Sequence, residues 1–105
     1  MLGEFELLVL LAVLQAGEHA YGTKILEELR QRAGRAVARG AVYVTLDRLE
    51  AKGYLSSRAD GGIPARGGRP RRYYSVRPGG MKVLRHSLDA FERMREGLRL
   101  GLKHS

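Results

Sequence analysis

The sequence has no cysteine and no long hydrophobic run. Without cysteine, the fold cannot depend on disulfides or on thiolate ligands for a metal. The longest unbroken apolar run, Leu7–Leu14, is eight residues long, whereas a membrane-spanning helix needs about 20. Glu4 and Glu6 lie near the N-terminus, where a secretory signal would carry positive charge. These features predict a cytoplasmic protein without a transmembrane segment.

The common catalytic and metal-binding patterns are missing as well. The three histidines, His19, His86 and His104, do not have the spacing of metal ligands. The glycine clusters lack the order of a phosphate-binding P-loop, and no nucleophile stands in a recognisable pattern with a base. We therefore expect no enzymatic activity, no metal and no cofactor.

Acidic residues are few relative to basic ones. There are 11 Asp and Glu against 19 Lys and Arg, which gives a net charge of +8. This balance favours a polyanionic partner, nucleic acid first and an anionic membrane surface second. A GC-rich genome would explain the preference for Arg over Lys, but not the net charge. A length of 105 residues predicts a single domain.

The segment Arg39–Leu55 predicts an amphipathic helix that ends at Gly53 and continues into a strand. Val42, Leu46 and Leu49 recur at helical spacing and form a core face. The opposite face is small and smooth, with one arginine near its centre. A helix that enters a DNA major groove needs this clearance and a side chain that can reach guanine. A plain surface helix is the alternative. The outward residues are Gly40, Ala41, Val44, Arg48 and Ala51, with Thr45 at the edge.

Two helices are predicted before this segment, over residues 3–16 and 21–33, and Gly34 ends the second. A short connection, residues 35–38, then leads into the helix at Arg39, which is a helix-turn-helix arrangement. In that arrangement the second helix of the pair enters the major groove. The first helix is apolar almost all round, so we expect a second subunit to cover part of it.

Two short strands, residues 54–59 and 71–76, flank a loop rich in glycine and proline over residues 60–70. A hairpin after a helix-turn-helix is a wing. Guanidinium groups on a wing suit phosphate contact or insertion into a narrow minor groove. A solvated hairpin is the alternative. The wing arginines are Arg66, Arg69, Arg71 and Arg72.

The last predicted helix, residues 80–103, has apolar side chains at alternating spacings of four and three, which is a heptad seam. Arg95 is the polar exception in this seam. The pattern predicts homodimerisation, with packing inside one chain or a membrane-surface role as alternatives. The apolar seam residues are Leu84, Leu88, Phe91, Leu98 and Leu102.

Arg48 is the best candidate to read a base, and an ion pair with Asp47 or Glu50 is the alternative for its guanidinium. The other predicted DNA contacts of this helix differ in chemistry. Val44 would contact a thymine methyl. Arg39, Thr45 and the hydroxyl of a half-buried Tyr43 would contact phosphate. Gly40 and Ala41 would allow close approach to the DNA.

Three stretches resemble the PadR-like transcriptional regulators, in particular the short subfamily with one C-terminal dimerisation helix. The first is HAYG at residues 19–22. The second, GAVYVTLDRLEAKGYL at residues 40–55, is similar to the family's G-x-L-Y-x-x-L-x-R-L-E-x-x-G-h-L pattern. The third, GGRPRRYY at residues 67–74, is similar to its wing signature.

The resemblance implies a mainly α fold with a small β-hairpin wing. Residues 1–77 would be a winged helix-turn-helix domain, and residues 78–105 a dimerisation helix. It also implies a homodimeric repressor of inverted-repeat operators on double-stranded DNA, and in some members a small-molecule inducer. The chain departs from the family pattern at Ala38 and Arg77, where Ser or Thr often caps a helix, at Val44, which is often proline, and in having no tryptophan. A winged-helix adaptor for protein or RNA is the alternative function.

Overall fold

The computed structural model describes residues 2–60 and 71–101. Within these residues, four α-helices and one β-hairpin follow each other. The elements are α1 (Glu4–Ala16), a 3₁₀ turn (Gly17–His19), α2 (Gly22–Arg32), α3 (Arg39–Ala51), β1 (Leu55–Ala59), β2 (Arg72–Val76) and α4 (Pro78–Arg95). The three predicted helices before the wing and both wing strands are confirmed to within about two residues, a normal margin for helix and strand ends.

The core lies between α1, α2 and α3, and it is closed by single side chains from β1, β2 and α4. Burial of apolar surface at this centre drives folding, and each fully buried large side chain contributes about 1.5–3 kcal/mol. The apolar side chain of Leu14 in α1 remains 43% exposed. The largest fully buried side chains are Val9, Leu10, Ile25, Leu29, Val42, Leu46, Leu49 and Leu55.

Glycines end α2 and α3 where the backbone turns. Gly34 has a φ of +64° and Gly53 a φ of +81°, values in the left-handed region that glycine adopts without steric cost. The amide of Tyr54 donates to the carbonyl of Leu49 at 3.0 Å. This bond closes the end of α3 and directs the chain into β1.

The two strands pair antiparallel, in the register Leu55↔Val76 to Ala59↔Arg72. Tyr74 is buried on one face of the hairpin, and Tyr73 lies on the other. A bridge between Tyr21 and Tyr73 adds a third, one-residue strand just before α2. The loop between the strands, including the predicted contacts Arg66 and Arg69, lies outside the described residues.

The last helix is shorter than predicted. We expected a helix to residue 103, but α4 ends at Arg95, because Glu96 has a ψ of 133° and Gly97 a φ of +80°, neither of which continues a helix. The three-heptad seam is therefore wrong in its C-terminal part. Leu98 follows the helix and is exposed, and Leu102 lies outside the described residues.

The first half of α4 belongs to the protomer's own core. Leu84, predicted to lie in the seam between subunits, is only 2% exposed and packs in the core cluster. Ser87 on the same side is also buried. The apolar residues that remain on the surface of α4 are Leu88, Phe91 and Met94.

Gly80 is where α4 approaches the rest of the protein most closely. A Cβ at this position would collide with the carbonyl of Tyr54 and touch a methyl of Val76. That carbonyl already accepts a hydrogen bond from the amide of Arg77 at 2.9 Å, so it is not free to move.

We expect Gly80→Ala to lower the free energy of unfolding by about 1–3 kcal/mol, because the added methyl overpacks a backbone contact. Gly79→Ala is the matched control, because its Cβ would meet nothing closer than 3.9 Å. Alanine there should be neutral or mildly stabilising. Urea denaturation of both variants checks this, and equal stabilities would show that Gly80 is not a tight contact.

Candidate nucleic-acid interface

The outward face of α3 is exposed, small and smooth. Arg39, Gly40, Ala41, Val44 and Arg48 are all exposed. A Cβ built on Gly40 would meet nothing within 4 Å, so open space lies over the start of the helix. The buried stripe on the opposite side packs the helix into the core. The outward face is therefore free to contact another macromolecule along its whole length.

Thr45 lies elsewhere than predicted. We expected it at the edge of the outward face, as a phosphate contact, but it is only 5% exposed. Its position three residues after Val42 and four before Leu49 places it within the buried stripe. Thr45 is therefore too buried to be a candidate DNA contact.

The guanidinium of Arg48 forms no hydrogen bond and no ion pair with the residues that the structure describes. The predicted alternative was an ion pair with Asp47 or Glu50, and neither is formed. Glu50 instead accepts a hydrogen bond from the hydroxyl of Ser57 at 2.7 Å, and that hydroxyl accepts one from Arg72 at 2.8 Å. The guanidinium of Arg48 is thus exposed and available to bind an external group.

The start of α3 is positively polarised. Ala38 at the N-cap gives no side-chain hydrogen bond, and the first turn has no acidic residue. The first amides of the helix and the positive end of its dipole therefore face outward without a countercharge. Arg39 adds a full positive charge there. Negative groups such as phosphates are favoured at this end.

Tyr43 packs against the first residue of α2. Its ring and hydroxyl lie where a Cβ of Gly22 would be, so only glycine fits there. The residue is 38% exposed, but its hydroxyl, which we expected to face outward towards a phosphate, is the atom nearest to Gly22. Gly22 therefore fixes how closely α2 and α3 approach each other, and this explains a glycine after Tyr21 in the HAYG stretch.

Two ion pairs join the first turn of α1 to the two ends of the α3 region. Glu6 accepts a hydrogen bond from Lys52 at 2.8 Å and one from the amide of Gly3 at 3.0 Å. The hydrogen bond from Lys52 is the main cause that lowers the pKa of Glu6. Glu4 pairs with Arg35, in the connection before α3. From the sequence, Glu4 and Glu6 served only as an argument against a secretory signal, and neither ion pair was predicted.

The two described wing arginines lie on opposite faces of the hairpin. The guanidinium of Arg71 stacks over the ring of Tyr21, 4.1 Å from its centroid, and its hydrogen bond with Tyr73 raises its pKa. Arg72 extends towards the α3 side, where it binds Ser57. The wing therefore presents two positive side chains at its base in fixed and different directions.

One further basic residue of the wing, Arg58, was not predicted from the sequence as a candidate contact. Arg58 of β1 lies over the ring of Tyr73, 4.9 Å from its centroid, and the Tyr73 and Tyr21 rings meet edge to face at 5.6 Å. The alternation of a strand could have placed Arg58 on the outer face, but it could not show which ring lies opposite.

Two further findings concern other kinds of site. Among residues 2–60 and 71–101, no group of three acids or histidines is placed to hold a metal ion. In the same part of the chain, no helix combines the length and the apolar character needed to cross a bilayer.

Comparisons with known proteins agree with this geometry. The family model of the transcriptional regulator PadR-like family matches residues 10–86. A PadR family transcriptional regulator from Eggerthella lenta is similar in structure, with 32% identity and a TM-score of 0.68 over 86% of this chain and 76% of that one. A PadR family regulator from Clostridium difficile has 23% identity and a TM-score of 0.71, over 90% and 93% of the two chains.

A more distant structure has the same fold. It is Bordetella bronchiseptica BpsR, whose DNA binding is regulated by 6-hydroxynicotinic acid. It has 17% identity and a TM-score of 0.68, over 95% of this chain and 70% of that one. No curated protein matches this chain.

The hairpin beside a helix-turn-helix pair defines a winged-helix protein of the kind that binds DNA. The chain belongs to the PadR-like family of transcriptional regulators. This confirms the family resemblance seen in the sequence. The chain is accordingly a DNA-binding regulator.

The pair between Glu6 and Lys52 should make stability depend on acid pH. A carboxyl whose pKa is lowered on folding from the ordinary value of 4.5 stabilises the protein above that value, and the contribution is lost as pH falls through the folded pKa. Glu6→Gln should therefore cost about 1 kcal/mol at pH 7, and the cost should shrink below about pH 4.5.

The measurement is the free energy of unfolding of both proteins from pH 7 to pH 3. Asp89→Asn is the control, because Asp89 is exposed on α4 and forms no ion pair with another described residue. A cost for Glu6→Gln that stays constant with pH would mean that the carboxylate charge is not what stabilises the fold.

Proposed function

We propose that the chain is a homodimeric, sequence-specific repressor that binds an inverted-repeat operator. The observation that carries the proposal is the smooth, exposed face of α3, with an arginine that forms no ion pair within the described residues. Two such helices would enter successive major grooves, about one helical turn apart. The wings would contact flanking phosphates or the minor groove.

Each residue of the interface has a proposed role that follows from its chemistry. Arg48 would bind guanine through two parallel hydrogen bonds, and Val44 would pack on a thymine methyl. Gly40 and Ala41 would allow close approach of the backbone. Phosphate contacts would come from Arg39, from the edge of Tyr43, and from the wing arginines Arg66, Arg69, Arg71 and Arg72.

The proposed dimer interface is the exposed apolar face of α4. Leu88 is 38% exposed and Phe91 61%, and aromatic and aliphatic side chains on one exposed helix face favour burial against another subunit. Arg95, predicted as the polar position of the seam, forms an ion pair with Glu92 at 2.8 Å. Its charge would lie at the edge of the proposed interface. Leu98 follows the end of the helix and is not part of this face, and Leu84 would support the face from within the core.

Regulation by a small molecule is part of the proposal. DNA binding by the distant structural neighbour BpsR responds to 6-hydroxynicotinic acid. In this chain a ligand that binds one dimer geometry better than another would shift the population away from the DNA-binding form. We place this regulator in the cytoplasm, without a catalytic activity of its own.

A winged-helix adaptor that binds a protein is the second candidate. The same smooth face of α3 that fits a groove also fits a flat protein surface. Double-stranded RNA is a poor partner, because its deep and narrow major groove excludes a helix.

In-vitro selection of DNA by the purified protein tests the proposed function. Selected and scrambled duplexes are then titrated at two salt concentrations. An inverted repeat bound at least about 10³-fold more tightly than scrambled DNA would support the repressor. Weak binding to every duplex that disappears with salt would mean counterion release from a basic surface, and would favour the adaptor.

Arg48→Ala should cost about 1–3 kcal/mol of operator binding and relax the preference at one base position. Arg93→Ala is the matched control, because it removes the same charge from an exposed position of α4. Titration against operators mutated one position at a time separates the two effects. An equal loss of affinity for all sequences would make Arg48 a phosphate contact only.

Leu88→Asp should give a monomer, because the charge would be buried in the proposed interface without a partner. Arg93→Asp places the same carboxylate on the opposite side of α4 and should leave the dimer intact. Size-exclusion chromatography with light scattering measures the mass of each. A persistent Leu88→Asp dimer would move the interface away from this face.

A further inference from the structure

The outer face of the wing sheet carries a row in which cations and tyrosine rings lie against each other. Arg58 and Tyr73 are direct partners in the strand register, and Tyr73 bridges to Tyr21. The guanidinium of Arg58 covers the Tyr73 ring, and that of Arg71 covers the Tyr21 ring. We call these four residues the arginine–tyrosine row.

The arginine–tyrosine row begins beside the recognition helix. Tyr21 directly precedes Gly22, and Gly22 is the residue on which Tyr43 of α3 packs. From Tyr21 the row crosses to Tyr73, with 5.6 Å between the ring centroids, and then to Arg58. The row therefore lies at the base of the wing, and it begins at the residue before the glycine on which Tyr43 of α3 packs.

Arg58 differs from the paired arginines of the chain. Arg32, Arg35 and Arg95 each form an ion pair with a carboxylate. Arg58 is exposed, and within residues 2–60 and 71–101 it forms no side-chain hydrogen bond and no ion pair. Its guanidinium contacts the ring of Tyr73.

A guanidinium stacked on a ring is oriented without being neutralised. The ring face attracts the cation, while the N–H groups at the edge of the planar guanidinium remain free to bind a phosphate. The side chain is also fixed before binding, so less conformational entropy is lost when the contact forms. Tyr73 thus prepares Arg58 for an anionic ligand.

We propose that Arg58 binds the DNA backbone beside the recognition helix, and that Tyr73 is its positioning residue. The inference rests on the proposed DNA-binding function. The contact comes from a strand at the base of the wing and not from the loop at its tip. Because phosphates carry no sequence information, Arg58 would increase affinity and fix register without selecting bases.

The salt dependence of DNA binding by the full chain tests this assignment. Each phosphate contact contributes about 0.9 to the slope of log K against log salt concentration. A dimer of Arg58→Ala loses two contacts, so the slope should fall in magnitude by about 1.8, with an unchanged ratio of specific to non-specific affinity. Arg93→Ala, which removes an exposed charge far from the wing, should leave the slope unchanged.

Variants of Tyr73 test the positioning role. Tyr73→Leu should weaken DNA binding several-fold although no charge is lost. Tyr73→Phe keeps the ring and loses only the hydroxyl that bonds Arg71, so it should bind more tightly than Tyr73→Leu. Equal binding by these two variants would mean that the ring does not position Arg58. Thermal unfolding identifies a Tyr73→Leu protein that fails to fold. In that case Arg58→Lys replaces it, since lysine keeps the charge without a flat group to stack, and should bind more weakly than the wild type.

The outcomes separate this inference from the proposed function. The slope can be measured on any duplex, because phosphate contacts form on non-specific DNA too. A slope for Arg58→Ala equal to that of the wild type would overturn the inference even if the operator is bound specifically. A loss of specificity with Arg58→Ala would also overturn it, because Arg58 would then read a base. Absence of a preferred operator for the wild type would overturn only the proposed function.

Discussion

Burial of one side of α3 is the constraint on which the rest of the structure depends. Val42, Leu46 and Leu49 are fully buried, and they pack the helix into the core with α1 and α2. No polar group of the outward face is needed to keep the helix in place. That face can therefore be shaped for an external partner, and it is small, positively charged at its start and free of internal ion pairs within the described residues.

Orientation of α3 needs more than its apolar stripe, because such a stripe permits sliding and rotation. Three contacts restrict these motions. Lys52 binds Glu6 at the end of the helix, Arg35 binds Glu4 ahead of its start, and Tyr43 rests on Gly22. The pair of Arg35 with Glu4 is exposed and contributes little to stability, so its value lies in fixing position. The part-buried pair of Lys52 with Glu6 both fixes position and stabilises the fold. A recognition helix that was free to turn would lose the register of its base contacts.

Periodicity predicted the helices and the hairpin because both patterns are local. It failed where the outcome depends on distant residues or on backbone geometry. Thr45 was assigned by angle to the edge of the outward face, whereas packing against the other helices buries it. The sequence keeps apolar residues at heptad spacing after Arg95, but the helix does not continue there, because Gly97 has a positive φ. The contact of Lys52 with Glu6, and that of Arg58 with Tyr73, join parts of the chain that no spacing rule connects.

The position of α4 links the proposed dimer to the recognition helix. Its first turn packs on Tyr54 through Gly80, and the amide of Tyr54 caps the carbonyl of Leu49 in α3 at 3.0 Å. Only two backbone contacts therefore separate the start of α4 from the end of α3. Because tightly packed contacts of this kind transmit displacement and do not absorb it, a ligand that rearranged two α4 helices would also move the recognition helices. The proposed dimer interface and the proposed DNA contact are thus linked directly through α4 and Tyr54.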